Sequence, residues 1–154
     1  PTKKEKLKDG KIFKYLAKNN FIPFVSVLVP KDKYYECGGF PEDYKNSIDY
    51  YLLLHLAKRF EVKKIDEALC SYRSHDNNMS KKQYVISSYE AIKSVSVFLP
   101  DNSAKVGLQH HYTKLLVASF REKNLKMFFW SLVRIRSPII VLGRVYVFIK
   151  NYFN

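Results

Sequence analysis

The sequence predicts an α+β protein that is predominantly α overall: a small mixed piece with a few short strands, followed by a mostly helical region. Three observations carry this expectation. The run Phe24 to Val29 is rich in β-branched residues and is bracketed by Pro23 and Pro30, the punctuation of a short buried strand. Phe60 to Ile65 and Ala68 to Tyr72, separated by Asp66-Glu67, read as two short strand candidates. From residue 82 onward, apolar side chains recur at helical spacing and no strand signal competes with them. The change at that point divides the chain into 1–81, mixed, and 82–154, helical.

The elements follow in order. Leu7, Ile12, Phe13, Leu16 and Ala17 give residues 3–18 a helical apolar face that Gly10 interrupts, so a short or broken helix is expected, ending at Asn19-Asn20. After the strand at Phe24, residues 31–37 allow one or two helical turns, and Gly38-Gly39 forces the chain to turn, because glycine reaches backbone angles closed to other residues. Ser47 reads as the N-cap of a helix to about Arg59, with Asp49 in its first turn and Tyr50, Leu53, Leu54 and Ala57 as the buried stripe. Helices are then expected at about 82–98, 102–122, 125–136 and 138–153. Their breaks fall at Pro100-Asp101-Asn102, around Asn124, and at Ser137-Pro138, where proline takes the first helical position.

Of 154 residues, 27 are Lys or Arg and 14 Asp or Glu, a formal net charge of +13, which predicts attraction to phosphate as nucleic acid, anionic bilayer or phosphorylated ligand. Twelve Tyr and eleven Phe allow a large core and exclude a disordered chain. Cys37 and Cys70 form no metal-ligand spacing, and both read as buried thiols in a reducing cytoplasm. The polar start PTKKEKLKDG is not a signal peptide, and no apolar run approaches the roughly 20 residues that span a bilayer. Zinc-finger spacing and arginine-rich tracts are absent and the basic residues are spread through helices with core-like stripes, so nucleic acid is not the expected partner.

Seven basic residues stand against Glu122 between Arg121 and Asn154. In the last expected helix Gly143, Arg144, Lys150 and Asn151 form one narrow polar stripe on an otherwise apolar surface. At about 1.5 Å per residue this helix is roughly 24 Å long, too short to cross a bilayer. It either lies in a membrane interface or packs against the preceding helices or a second copy.

Few residues could carry chemistry. Asp49, at a helix start, is stabilised there by free backbone N–H groups, which explains it structurally; held ionised, it could also serve as a general base. Arg73 and His75 alternate with Tyr72 and Ser74, so a continuing strand would aim both at one face, Arg offering a planar fork for phosphate oxygens and His a hydrogen bond or a metal ligand. A solvated strand end explains the same pair without function. His55 reads as a helix-boundary residue, and the adjacent His110 and His111 point apart and cannot chelate together.

Taken together, residues 20–80 resemble the acceptor-side half of bacterial family 2 glycosyltransferases, which have the glycosyltransferase-A fold. The resemblance lies in order and spacing: an Asn-Phe-Ile-Pro segment at Asn20, a buried run, Gly38-Gly39-Phe40, a helix start at Ile48-Asp49-Tyr50, and the closing series Tyr72, Arg73, His75, Asn78 and Ser80. It implies an inverting transfer from a nucleotide sugar to a hydroxyl of a saccharide acceptor, in surface polysaccharide synthesis, with Asp49 as base, Arg73 and His75 at the donor diphosphate, and Gly38, Gly39 and Phe40 in an acceptor-side loop. It also implies a divalent cation, Mg or Mn, in the complete enzyme, for which His75 is the one candidate ligand singled out here. Ile48 stands where the family has Glu. The donor half, with its Asp-x-Asp motif, has no counterpart in the chain, so the expectation is a C-terminal fragment or separate domain, inactive alone and located in the cytoplasm or at the inner face of the cell membrane. A non-catalytic docking or oligomerisation module, in which the helices after residue 82 matter, is the competing reading.

Overall fold

The computed structural model describes residues 9–73 and 83–136. Helix α1 (Phe13–Leu16) opens the fold, and a 3-10 turn follows at Phe24–Ser26. Helices α2 (Lys31–Glu36) and α3 (Ile48–Arg59) complete the first half. The second half holds α4 (Tyr84–Ser96), α5 (Asn102–Arg121) and α6 (Leu125–Leu132). The expected helix at 138–153 lies outside the described residues.

The α+β expectation is overturned, because the described residues contain no sheet and the fold is mostly helical. Phe24–Ser26 is a 3-10 turn, Val27 is extended without a partner strand, and 60–65 and 68–72 are irregular. One isolated antiparallel bridge remains: Gly10 N–H donates to the Val62 carbonyl at 2.7 Å and Val62 N–H to that of Gly10 at 3.0 Å. The reason is physical. β-branched composition suits a pleated, half-buried surface, but a strand exists only where a neighbour pairs with it over several residues, and among the described residues the Gly10–Val62 bridge is the only β pairing. The run expected to be buried is largely bare: Phe24, Val25 and Leu28 are exposed, Leu28 at 94%. Cys70 is likewise exposed, against the expectation of two buried thiols, because it lies in the irregular, exposed 65–73 stretch outside the core; Cys37 is buried.

One core joins the two halves. Ile12, Phe13 and Leu16 from α1 and its approach, Tyr50, Leu53, Leu54 and Ala57 from α3, Val85, Ile92 and Val95 from α4, and Leu108 and Leu115 from α5 form a single buried cluster. Each large side chain so removed from water contributes about 1.5 to 3 kcal/mol before ordering costs. The stripe expected on α3 faces this cluster. A second stripe, Leu52 and Leu56, meets Cys37 on the other side, so α3 is sandwiched, with Tyr51 and His55 left partly exposed between the two stripes.

Capping fixes the second half. Asp101 accepts from Ser103 N at 2.6 Å and Ala104 N at 3.2 Å, while its other oxygen meets Lys58 Nζ of α3 at 2.6 Å. Asn124 caps α6 by accepting from Met127 N at 3.1 Å. Helix α5 comes unusually close to α1. A Cβ added at Gly107 would sit 2.3 Å from the Ala17 carbonyl oxygen, so only glycine permits this approach. Around the same carbonyls, Tyr50 Oη donates to Leu16 O at 2.7 Å, and His111 Nε2 lies 3.0 Å from Ala17 O and 2.9 Å from Tyr50 Oη. These contacts are satisfied together when His111 carries its proton on Nε2 and Tyr50 stays a phenol; burial pushes the Tyr50 pKa strongly upward and keeps it so.

Ser47 occupies the N-cap position of α3, but its side chain does not cap; its hydroxyl donates to the Ser87 carbonyl at 3.2 Å. The exposed N–H groups ahead of α3 are taken by a distant carboxylate. Glu90 of α4 accepts from Lys45 N at 2.7 Å, Asn46 N at 2.9 Å and Ser47 N at 2.8 Å, and is itself buried.

Two stability measurements check this account. Glu90→Ala leaves three backbone donors without an acceptor and should lower unfolding free energy in urea by about 3 kcal/mol or more, with Glu90→Gln, which keeps one acceptor oxygen, losing less. Gly107→Ala should destabilise in the same assay, although alanine in a helix interior ordinarily gains about 0.5 to 1 kcal/mol over glycine; a stabilised variant would refute the close approach.

Candidate functional site

The site expected from the sequence centres on Asp49, the second residue of α3. Its backbone position follows from the Glu90 clamp, which fixes the three residues leading into the helix. The Asp49 side chain is half-buried, and Oδ1 accepts from Tyr50 N at 2.8 Å, within its own turn. Burial raises its pKa above the ordinary carboxylate value, partly offset by backbone hydrogen bonds. No cation among the described residues pairs with it. The result is a half-buried carboxylate, more basic than a surface aspartate, whose one hydrogen bond described here is to its own turn.

The Gly38-Gly39-Phe40 loop forms the turn its glycines predict, with φ of +84° and +68° at Gly38 and Gly39. Tyr34 organises it: its hydroxyl accepts from Phe40 N at 3.2 Å, its carbonyl accepts from Gly39 N at 3.0 Å, and its ring meets Phe40 edge-on with centroids 5.3 Å apart. Phe40 also meets Phe24 edge-on at 5.8 Å. The loop and the bare apolar run are therefore one surface. Arg73 is exposed at the end of the 65–73 stretch, while His75, and with it Asn78 and Ser80, lies outside the described residues. The hydrogen bond described for Asp49 is local to its own turn and joins it to neither the glycine loop nor Arg73.

Among the described residues no three of His, Cys, Asp and Glu lie together as metal ligands, so the cation implied by the resemblance has no ligand set there. Of the other histidines, His111 is buried in the α1–α3–α5 contact, and His55, half-buried between the rings of Tyr51 and Phe98 at 4.4 and 4.8 Å, has its pKa lowered by burial and then by Arg59. An open cleft of about 270 Å³ at the far end of α3 is lined by Lys11, Lys14, Lys58, Arg59 and Asp101 among others and does not include Asp49. Among the described residues no helix is long and apolar enough to cross a membrane.

No family model matches the chain, and no curated protein and no solved structure matches it. The resemblance of residues 20–80 thus rests on motif order and spacing alone. Glu90 is the residue the sequence reading passed over. Its signal was available: in the helix YVISSYEAIKSVS it is one of two charged residues and sits beside Ala91 and Ile92 of the buried face.

The raised Asp49 pKa has a testable sign. A carboxyl whose folded-state pKa exceeds its unfolded value favours folding in its neutral form, and that contribution is lost as pH rises through the folded-state value. Asp49→Asn should therefore be more thermostable than the parent at neutral pH, and the difference should vanish as pH falls below the ordinary aspartate pKa near 4.

Proposed function

We propose that residues 20–80 are the acceptor side of an inverting glycosyltransferase acting on a nucleotide sugar, with Asp49 as its base. The observation that carries the reading is the half-buried carboxylate at the head of α3, with no cation paired to it among the described residues, made more basic by burial and standing on a helix whose leading backbone is fixed by Glu90. In the reaction, the acceptor hydroxyl gives its proton to Asp49 as its oxygen bonds to the anomeric carbon. The bond from that carbon to the diphosphate oxygen breaks, its electron pair leaves with the nucleoside diphosphate, and the centre inverts. Arg73 and His75 are assigned to the leaving diphosphate, where a guanidinium offers two parallel N–H donors. The surface formed by Gly38, Gly39 and Phe40 is assigned to the acceptor.

Two bare stretches support an incomplete catalytic unit. Phe24, Val25 and Leu28 in one, and Ile65, Leu69 and Tyr72 in the other, are apolar and exposed, a surface that other polypeptide would cover. The nucleotide-binding half and its Mg or Mn site belong to that polypeptide, so the 154-residue chain is proposed to be inactive alone. Its product is surface polysaccharide, which places it on the cytoplasmic side.

Joined to a nucleotide-sugar-binding donor half, the chain should turn over a sugar nucleotide, and Asp49→Asn should lower kcat by about 10²- to 10⁴-fold without loss of thermal stability. Turnover by the 154-residue chain alone, or turnover indifferent to Asp49→Asn, would overturn the proposal.

A further inference from the structure

The strongest unexplained feature lies away from Asp49, at the junction of α5 and α6. Helix α6, LKMFFWSL, is apolar on two sides. Its inner side is accounted for: Met127 and Trp130 pack on the core, and the Trp130 ring meets Tyr89 and Tyr112 edge-on, each at 5.8 Å. Its outer side is not. Leu125, Phe129, Leu132 and Val133 fall at spacings of four, seven and eight residues, one continuous stripe, and all are exposed, Leu125 at 69% and Val133 at 75%. Phe128 extends the stripe to exposed Phe120 at the end of α5, with ring centroids 6.3 Å from Phe120 and 5.4 Å from Phe129. A helix of an ordinary globular domain carries polar residues on the face turned away from the core. Here large apolar side chains occupy it contiguously, which marks an interaction surface.

The charges around the stripe identify the occupant. Arg121, Lys123, Lys126, Arg134 and Arg136 lie within and on both sides of this segment in sequence and are exposed. The one acid of this segment, Glu122, turns back into the fold, accepting from Val85 N at 3.1 Å. Arg134 is held at the edge, its guanidinium 4.0 Å from the Trp130 ring centroid and Nη1 donating to Trp130 O at 3.0 Å. A second copy is a poor fit, because a two-fold contact would set this patch against itself, cations facing cations. An anionic bilayer satisfies both parts at once: the apolar stripe enters the boundary between headgroups and acyl chains while the cations stay at the level of the phosphates. Eight residues make α6 about 12 Å long, so it lies in the surface and does not cross.

We propose that the outer face of α6, with Phe120 and the cations around it, docks this chain on an anionic phospholipid surface. This surface is built from different residues than the proposed catalytic site and stands whether or not that reading does. The test is co-sedimentation of the full chain with phosphatidylcholine vesicles, with and without phosphatidylglycerol. Binding should require the anionic lipid and weaken with salt. The double variant Phe129→Asp, Val133→Asp should lose at least about tenfold in affinity with an unchanged circular dichroism spectrum, and Lys126→Gln with Arg136→Gln should weaken binding while leaving every apolar contact in place. Leu28→Asp, an equally exposed apolar site elsewhere, should bind as the parent does. The proposal is overturned by an absence of binding to anionic vesicles, by full binding of both multiple variants, or by a solution dimer that Phe129→Asp, Val133→Asp disperses while vesicle binding persists.

Discussion

The fold depends on one close approach, that of α5 to the last turn of α1. Gly107 lets the two backbones come nearer than any side chain would allow, and the Leu16 and Ala17 carbonyls there are left pointing into the interior. A buried carbonyl without a partner would cost about 1 to 3 kcal/mol; Leu16 O already accepts from Asn19 N at 3.0 Å, and Tyr50 and His111 arrive from α3 and α5 to complete the set. Three helices are thereby registered against one another by polar groups inside an apolar core. Hydrophobic contact alone tolerates sliding; a hydroxyl, an imidazole and two carbonyls at 2.7 to 3.0 Å do not.

The Glu90 clamp extends the same logic to the candidate site. A helix start ordinarily finds its acceptor within a few residues, and Ser47 stands in that place. The hydroxyl is used elsewhere, and a carboxylate more than forty residues away in sequence takes the three N–H groups. The geometry around Asp49 is thus set by α4 as much as by α3, so the first half of the chain cannot hold its candidate catalytic carboxylate without the second. The core, drawn from both sides of residue 82, says the same in apolar terms.

Three apolar surfaces stay bare on this scaffold: the Phe24–Phe40 face, the 65–72 stretch and the outer side of α6. They differ in chemistry. The first two carry β-branched and aromatic residues on a 3-10 turn and irregular backbone, with no regular helix to present them. The third is a regular helix whose backbone is satisfied and whose surroundings are cationic, which suits a lipid boundary.

The sequence by itself determined the helices, because their signals are local: the apolar stripe of α3, the Asp101 and Asn124 caps, and the glycine pair at 38–39 all act within one or two turns of chain. It also singled out Asp49 as a carboxylate at a helix start. The strand expectations at 24–29, 60–65 and 68–72 failed because a strand is a relation between two segments, and composition names only one of them. The exposure of Cys70, the diversion of the Ser47 hydroxyl from capping and the part played by Glu90 are of the same kind. Each depends on what stands opposite in space, and only the packing of α1, α3, α4 and α5 decided that, since hydrogen bonds and desolvation are settled by neighbours that the order of residues does not list.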